Sequence, residues 1–177
     1  MCAKRVRDPY APPQPKSPEK ALSSLMALCA KAEKSSGDAR RLMTRWGVDT
    51  TSQDSVLAQL QRDRFIDDDR FASLFIREKT RLNGWGVYKI RAELQRKGIS
   101  RDIIDEKLSE LDRDSMGDRL AELVAKRVKS VKYNSIPQLR DKLIRYGASL
   151  GYDFQTVSDC VREAIAHLAT EEEEEVF

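Results

Sequence analysis

Apolar side chains recur along most of this chain at the spacing of one face of an α-helix. In the segment 86–97, for example, Val87, Ile90 and Leu94 are three and four residues apart, which places them on one side of a helix. Similar patterns follow one another from Glu19 onward, and no segment alternates with the period of two that a half-buried strand requires. The pattern therefore predicts an all-α fold.

The breaks between these patterns predict where the helices begin and end. We expect helices at approximately 20–34, 38–46, 53–63, 68–82, 86–97, 101–111, 115–132, 136–146 and 154–169. Ser100 and Asp102 lie two and four residues after Gly98, and short polar side chains of this kind cap helix N-termini.

An internal repeat groups the predicted helices into three units. Aligning Gly47, Gly98 and Gly147 brings the segments ARRLMTRWG, IRAELQRKG and LRDKLIRYG into register without a gap. The period is about 50 residues, enough for three helices in each unit. The second helix of each unit is short and basic and ends near the aligned glycine, so we expect the three glycines at left-handed positions that close helices.

Tandem units of this kind stack on their neighbours, so the repeat predicts an elongated, curved solenoid. We expect a disordered, proline-rich basic tail at 1–18, three-helix repeats at 19–66, 67–113 and 114–169, and an acidic tail at 170–177. The first segment has five prolines and few apolar residues, a composition that cannot build a core.

Charge is divided unequally between the body of the chain and its end. The formal net charge is +3, but five of the 29 acidic residues form the run Glu171 to Glu175. Without that run, 24 acidic residues remain against 32 basic ones, a net charge of +8. A basic body suits a partner that presents negative charge.

Targeting and cysteine patterns add little. No apolar run reaches the roughly 20 residues that span a bilayer, and the N-terminus has no apolar secretion segment, so we expect a cytoplasmic protein without membrane contact. Cys2, Cys29 and Cys160 lack the spacing of a zinc site or a disulfide framework. We expect the second and third of them to be small core residues.

The residue inventory does not favour an enzyme. His167 is the only histidine and lies near the end of the last predicted helix, where a cation complements the helix dipole. Asp67 to Asp69 precede a helix, so N-capping explains them better than metal binding. A glycine-rich phosphate loop is not predicted, because such a loop follows a strand and no strand is predicted. We expect no catalytic residue, no cofactor and no metal.

Basic residues are concentrated in the middle of the chain. From 77 to 101 there are eight basic residues but only two acidic ones, Glu78 and Glu93, whereas a surface that serves solubility alone mixes the two signs. The candidate partner contacts are Arg77, Arg81, Trp85, Lys89, Arg96, Lys97, Lys126 and Lys129. The alternative is a solvated face, because basic residues at helix C-termini also complement the helix dipole.

Some repeated positions point to a structural role instead. Arg40, Arg91 and Arg140 occupy equivalent places beside the apolar stripe, so we expect each to bond a carboxylate or carbonyl of the adjacent helix; the alternative is contact with a ligand. Trp85 lies between Gly84 and Gly86. It is either an exposed anchor for a partner or part of the core.

The segment FIDDDRFASLFIREKTRLNGWGVYKIRAELQRKGIS, residues 65–100, resembles the central motif of the RecX family, bacterial regulators of the RecA recombinase. The matching features are the aspartates and Arg70-Phe71-Ala72 at its start, the glycine turn, and Lys89-Ile90-Arg91 followed by Lys97-Gly98-Ile99. Val87 departs from the family, which often has proline there. The threefold repeat extends the resemblance from about residue 19 to 168.

The resemblance implies a non-enzymatic, all-helical protein that lies in the groove of the RecA filament on DNA. There it would block filament extension or promote disassembly, and restrain strand exchange and co-protease activity. We expect a monomer whose contacts with single- or double-stranded DNA, if any, are weak and nonspecific. Two alternatives remain, a nonspecific helical DNA-binding module and a helical scaffold for another protein.

Overall fold

The computed structural model describes the backbone of residues 15–174 and the side chains of residues 15–168. All regular elements in this part of the chain are helices: α1 (Pro18–Cys29), α2 (Ser36–Arg45), α3 (Thr50–Arg62), α4 (Asp68–Arg81), α5 (Val87–Arg96), α6 (Arg101–Ser109), α7 (Arg113–Ser130), α8 (Ile136–Leu150) and α9 (Phe154–Glu174). The predicted all-α fold of three-helix repeats is confirmed. Most of the predicted basic tail and the side chains of the acidic tail lie outside the described residues.

Most helices begin at a short polar side chain that caps the free N–H groups of the first turn. Ser100 accepts a hydrogen bond from the N–H of Ile103 (3.4 Å), as the sequence predicts. Seven other helices start in the same way, at Ser17, Ser35, Asp49, Asp67, Asp112, Ser135 and Asp153. Helix starts are therefore determined by local sequence.

Helix ends follow the predicted glycines in two repeats. Gly47 and Gly98 have φ values of 73° and 79°, the left-handed conformation that favours glycine. Each lies just after a short second helix, α2 or α5. Both φ values fit the left-handed, helix-closing position that the sequence predicts for these glycines.

The prediction for Gly147 is wrong. α8 continues through this residue to Leu150, and Gly151, with a φ of 90°, ends the helix instead. Gly147 is buried, and a β-carbon there would lie 2.6 Å from Cγ1 of Val157. Glycine is needed at this position because α8 and α9 approach each other closely, not because the backbone turns.

Two other helix ends differ from expectation. α1 ends at Cys29, five residues before the predicted end, and α9 continues to Glu174. The thiols of Cys29 and Cys160 pack against the apolar clusters of their repeats. Burial raises the pKa of both thiols, which makes them poor nucleophiles at neutral pH.

The chain divides into two compact units, Met1–Phe71 and Ala72–Phe177. The core of the first unit combines α1, α2 and α3 and includes the fully buried Leu25, Met43 and Leu60. In the second unit, Leu120 and Leu143 lie in the core of α7, α8 and α9. None of the described helices is long and apolar enough to cross a membrane.

Within the second unit, the start of α5 is bonded directly to the end of α8. The N–H groups of Gly86 and Tyr88 donate to the carbonyl oxygens of Leu150 and Gly151, over 2.8 and 3.0 Å. None of the described side chains caps α5. Because each helix leaves its terminal peptide groups without partners in the helix, this contact satisfies the start of one helix and the end of another.

Glycines permit this helix junction. A β-carbon on Gly86 would lie 2.3 Å from the carbonyl oxygen of Gly151, and one on Gly151 would lie 2.4 Å from Cβ of Lys89. A β-carbon on Gly84, whose φ is 62°, would likewise lie 2.2 Å from Cδ1 of Leu123 in α7. The two backbones therefore meet only where side chains are absent.

We expect Gly86→Ala to lower the free energy of unfolding by about 1–3 kcal/mol, the usual cost of an overpacked site. The matched control is Gly117→Ala, because a β-carbon on that helical glycine has nothing within 4 Å. The control should raise stability by up to about 1 kcal/mol, since alanine favours the helix. Urea denaturation measures both changes, and equal stability of the two variants would contradict the junction.

Candidate partner-binding surface

Trp85 is part of the packing around the helix junction. Its ring is half-buried and meets Phe75 edge to face, with centroids 6.3 Å apart. The ammonium groups of Lys79 and Lys89 lie 5.5 and 4.6 Å from its centroid, within cation–π range. Of the two alternatives from the sequence, the packed position describes this ring, although part of its surface is exposed.

Lys89 is engaged within the second unit. Its Nζ atom donates to the carbonyl oxygen of Ser149 (3.0 Å), in the last turn of α8. A cation at this place also complements the negative end of the helix dipole. Lys89 therefore stabilises the junction, whatever contact it makes with a partner.

The repeated arginines pair with carboxylates in two repeats. Arg40 of α2 forms an ion pair with Asp54 of α3 (2.7 Å), and Arg91 of α5 pairs with Asp105 of α6. These contacts join the second and third helices of their repeats, as predicted. Arg140 is exposed and makes no ion pair with the described side chains, so the pairing does not extend to the third repeat.

Arg77 and Arg81 lie near the end of α4, and both are exposed. Neither side chain forms an ion pair with another described residue. The carbonyl oxygen of Arg81 accepts a hydrogen bond from Nη2 of Arg119 (3.4 Å). This bond places the end of α4 beside α7. Because it uses the backbone of Arg81, the guanidinium groups of Arg77 and Arg81 stay available to a partner.

Arg96 and Lys97 lie at the end of α5. Arg96 donates from Nε and Nη2 to Oε2 of Glu93, over 2.9 and 2.7 Å. This hydrogen bonding holds the pKa of Glu93 below its usual range. The Arg96 side chain is 66% exposed, so a partner can reach it. Its positive charge is, however, shared with Glu93.

Lys126 and Lys129 belong to the most strongly basic part of the molecule. Residues 126–145 include seven basic residues and one acidic residue, Asp141. We name these seven the α7–α8 basic surface: Lys126, Arg127, Lys129, Lys132, Arg140, Lys142 and Arg145. Six of them are exposed and Lys142 is half-buried. Unlike Arg91 and Arg96 of α5, none of them has a carboxylate partner among the described side chains.

Two contacts hold the basic residues of α7 and α8 beside each other. The guanidinium of Arg127 lies 5.5 Å from the ring centroid of Tyr146. Nζ of Lys142 donates to the carbonyl oxygen of Lys132 (2.6 Å). Sequence reasoning selected only Lys126 and Lys129 from this surface, although the imbalance of seven to one is visible in the sequence.

The aspartates at the start of α4 cap helices. Oδ1 of Asp67 accepts from the N–H of Arg70 (2.9 Å), as predicted. Oδ1 of Asp68 accepts from the N–H of Ser36 (2.8 Å) and so also caps α2, which the sequence did not indicate. In the part of the chain that the structure describes, no group of three or more His, Cys, Asp or Glu residues is placed to hold a metal ion.

The fold and this surface define an all-α protein of three-helix repeats that displays concentrated positive charge. The family described as "RecX, second three-helix domain" matches residues 67–108. A protein of Prosthecochloris aestuarii named "Regulatory protein RecX" is 30% identical over 150 residues, which cover 84% of this chain and 95% of that protein. The chain belongs to the RecX family.

Other relatives extend well beyond the part that aligns with this chain. "Regulatory protein RecX" of Clostridium tetani is 37% identical over 121 residues, and that of Clostridium botulinum is 31% identical over the same length. These matches cover 67% of this chain, but only 55% and 56% of the two relatives. This chain thus spans little more than half the length of these two proteins.

Solved structures agree on the fold. The structure titled "Crystal structure of RecX from Lactobacillus salivarius" superimposes with a TM-score of 0.73 at 13% identity, covering 84% of this chain and 97% of that one. A second, "Crystal structure of regulatory protein RecX", gives a TM-score of 0.75 at 18% identity, covering 82% and 73%. The fold is therefore preserved at low sequence identity.

We expect Lys89→Met to lower the free energy of unfolding by about 1–2 kcal/mol, because it removes a charged hydrogen bond and a cation–π contact. Lys126→Met removes the same charge from an exposed residue and should change stability by less than about 0.5 kcal/mol. Urea denaturation followed by tryptophan fluorescence measures both. Equal stability of the two variants would show that the Lys89 ammonium contributes nothing to the junction.

Proposed function

We propose that this chain is a non-enzymatic regulator that binds the RecA recombinase and its filament on DNA. It inhibits or modulates filament extension, ATP hydrolysis, strand exchange and co-protease activity during DNA repair and the SOS response. A protein with this role acts in the cytoplasm, and we propose that it acts as a monomer. Membership of the RecX family supports the regulatory role, and the α7–α8 basic surface is the observation that favours a nucleoprotein partner.

The physical argument rests on charge that the protein does not neutralise itself. Lys126 and Lys129 are exposed and have no carboxylate partner among the described side chains, so a polyanion can displace their counterions at little cost. A filament on DNA presents phosphates together with protein surface. Arg77 and Arg81 add further exposed charge at the end of α4.

A nonspecific DNA-binding module is the second candidate, and the same basic surface favours it. In that case binding should follow phosphate density alone and weaken steeply with salt. A regulator of filaments should instead act at concentrations too low to coat the DNA. The two functions therefore differ in the amount of protein that they require.

The decisive experiment titrates this protein into preformed RecA filaments on single-stranded DNA and follows ATP hydrolysis. We expect inhibition well below the concentration that saturates the DNA. Inhibition that appears only at saturation and disappears with modest added salt would establish the DNA-binding module instead. No inhibition and no binding to the filament would contradict both functions.

The basic surface is tested by Lys126→Gln together with Lys129→Gln. We expect weaker filament binding and a salt dependence reduced by about two in log–log slope, one for each lost phosphate contact. Lys20→Gln with Lys31→Gln is the matched control, because it removes the same charge from two exposed lysines of the first unit. Equal losses in both double variants would assign the effect to net charge and not to this surface.

A further inference from the structure

A cavity of about 370 Å³ lies beside the helix junction, within the second unit. It is bounded by the first turns of α5, α7 and α9 and by the turn at Gly151. Its lining includes Tyr88, Arg113, Gly117, Asp153 and Asp159. We name it the Gly117 cavity. None of the residues of the α7–α8 basic surface lines this cavity, so the function proposed above gives it no role.

Gly117 is a costly choice for its position. It lies inside α7, where glycine is less favourable than alanine by about 1 kcal/mol. No neighbouring atom requires it, because a β-carbon there would have nothing within 4 Å. This distinguishes it from Gly86 and Gly151, which the helix junction needs. The missing side chain leaves open space that the protein itself does not fill.

Arg113 is a second unfavourable choice on the same face. It is the first residue of α7, and a cation at a helix N-terminus opposes the helix dipole. It precedes Gly117 by four residues, so both lie on one side of the helix. Its guanidinium is exposed and makes no ion pair with the described side chains. Local rules that fail together at one place are expected at functional sites.

The acidic groups of the cavity are already occupied. Asp153 accepts from the N–H and the hydroxyl of Thr156, over 2.9 and 2.7 Å, and these hydrogen bonds hold the pKa of Asp153 below its usual range. Asp159 pairs with Arg162 (2.6 Å) and accepts from Gln155 (2.9 Å). Arg113 is the one basic residue of the lining, and it makes no ion pair with the described side chains, so it would attract a carboxylate.

One exposed aromatic ring borders the same cavity, and a second belongs to a residue next to its lining in the chain. Tyr88, which is 63% exposed, is part of the lining. Phe154, which is 69% exposed, lies between two lining residues, Asp153 and Gln155. Large exposed rings next to a recess are typical of protein contact sites, where aromatic residues contribute most of the binding energy. A nucleic acid would bring successive phosphates near Asp153 and Asp159, whereas a protein segment can place a single carboxylate at Arg113.

We propose that the Gly117 cavity receives a protein segment of the recombinase that places an apolar side chain above Gly117 and a carboxylate against Arg113. This inference rests on the function proposed above and assigns the protein contact to a place separate from the basic surface. The carboxylate would neutralise Arg113 and also favour the N-terminus of α7. The apolar side chain would fill the space that glycine leaves open.

The test compares the affinity of three variants for preformed RecA filaments on single-stranded DNA. Gly117→Ala should raise the melting temperature by about 2–4 °C but weaken filament binding about tenfold, because the added methyl group occupies the recess. Arg113→Glu should weaken binding by a similar factor without loss of stability. Arg101→Glu is its matched control, since Arg101 is also an exposed first residue of a helix, α6, and should bind nearly as the unmodified protein does.

The outcomes are separable. Normal binding by both cavity variants, with binding by the unmodified protein, would overturn this inference and leave the proposed function standing. No filament binding by the unmodified protein would overturn both. Equal weakening by Arg101→Glu would reduce the Arg113 effect to net charge and overturn the carboxylate contact. Parallel loss of affinity for DNA alone would make the occupant a nucleic acid, and dimers that Gly117→Ala dissociates would make it a second copy; either result overturns the inference.

Discussion

The second and third repeats meet at a junction of two backbone hydrogen bonds between α5 and the end of α8. Peptide groups at helix ends need partners outside the helix, and here the start of α5 and the end of α8 supply them to each other. Opposite partial charges of the two helix dipoles also meet at this point. The approach is possible only because Gly86 and Gly151 lack side chains. Trp85 and Lys89 pack around the same contact.

This junction divides the basic residues of the RecX motif by their surroundings. Lys89 bonds the end of α8, Arg91 pairs with Asp105, and Arg96 pairs with Glu93. The positive charges of these side chains are partly neutralised by groups of the protein itself. The seven residues of the α7–α8 basic surface, such as Lys126, have no carboxylate partner among the described side chains, so their charge is not neutralised there. The motif that carries the family resemblance and the surface with the most available charge are therefore different parts of the chain.

How far the sequence predicts this protein depends on the range of the interaction concerned. Ser100 is recognisable as a cap, and Gly47 and Gly98 as helix ends, because each acts on peptide groups a few residues away. Gly147 has the same sequence context but lies inside α8, against Val157. The pattern of the repeat did not indicate this close approach. Arg113 and Gly117 were missed for a related reason, since only the structure shows that both line one cavity and that no neighbour requires glycine at 117.

By itself the sequence determined the all-α class, the three-helix repeat, most helix starts and the resemblance to the RecX family. Each of these depends on periodicity or on contacts within about one helical turn. Only the tertiary structure decided that Trp85 is packed, that Lys89 is engaged and that Gly117 faces open space. Lys89 and the carbonyl that it binds are 60 residues apart. Such contacts depend on how whole helices meet, which no local pattern of apolar and polar residues specifies.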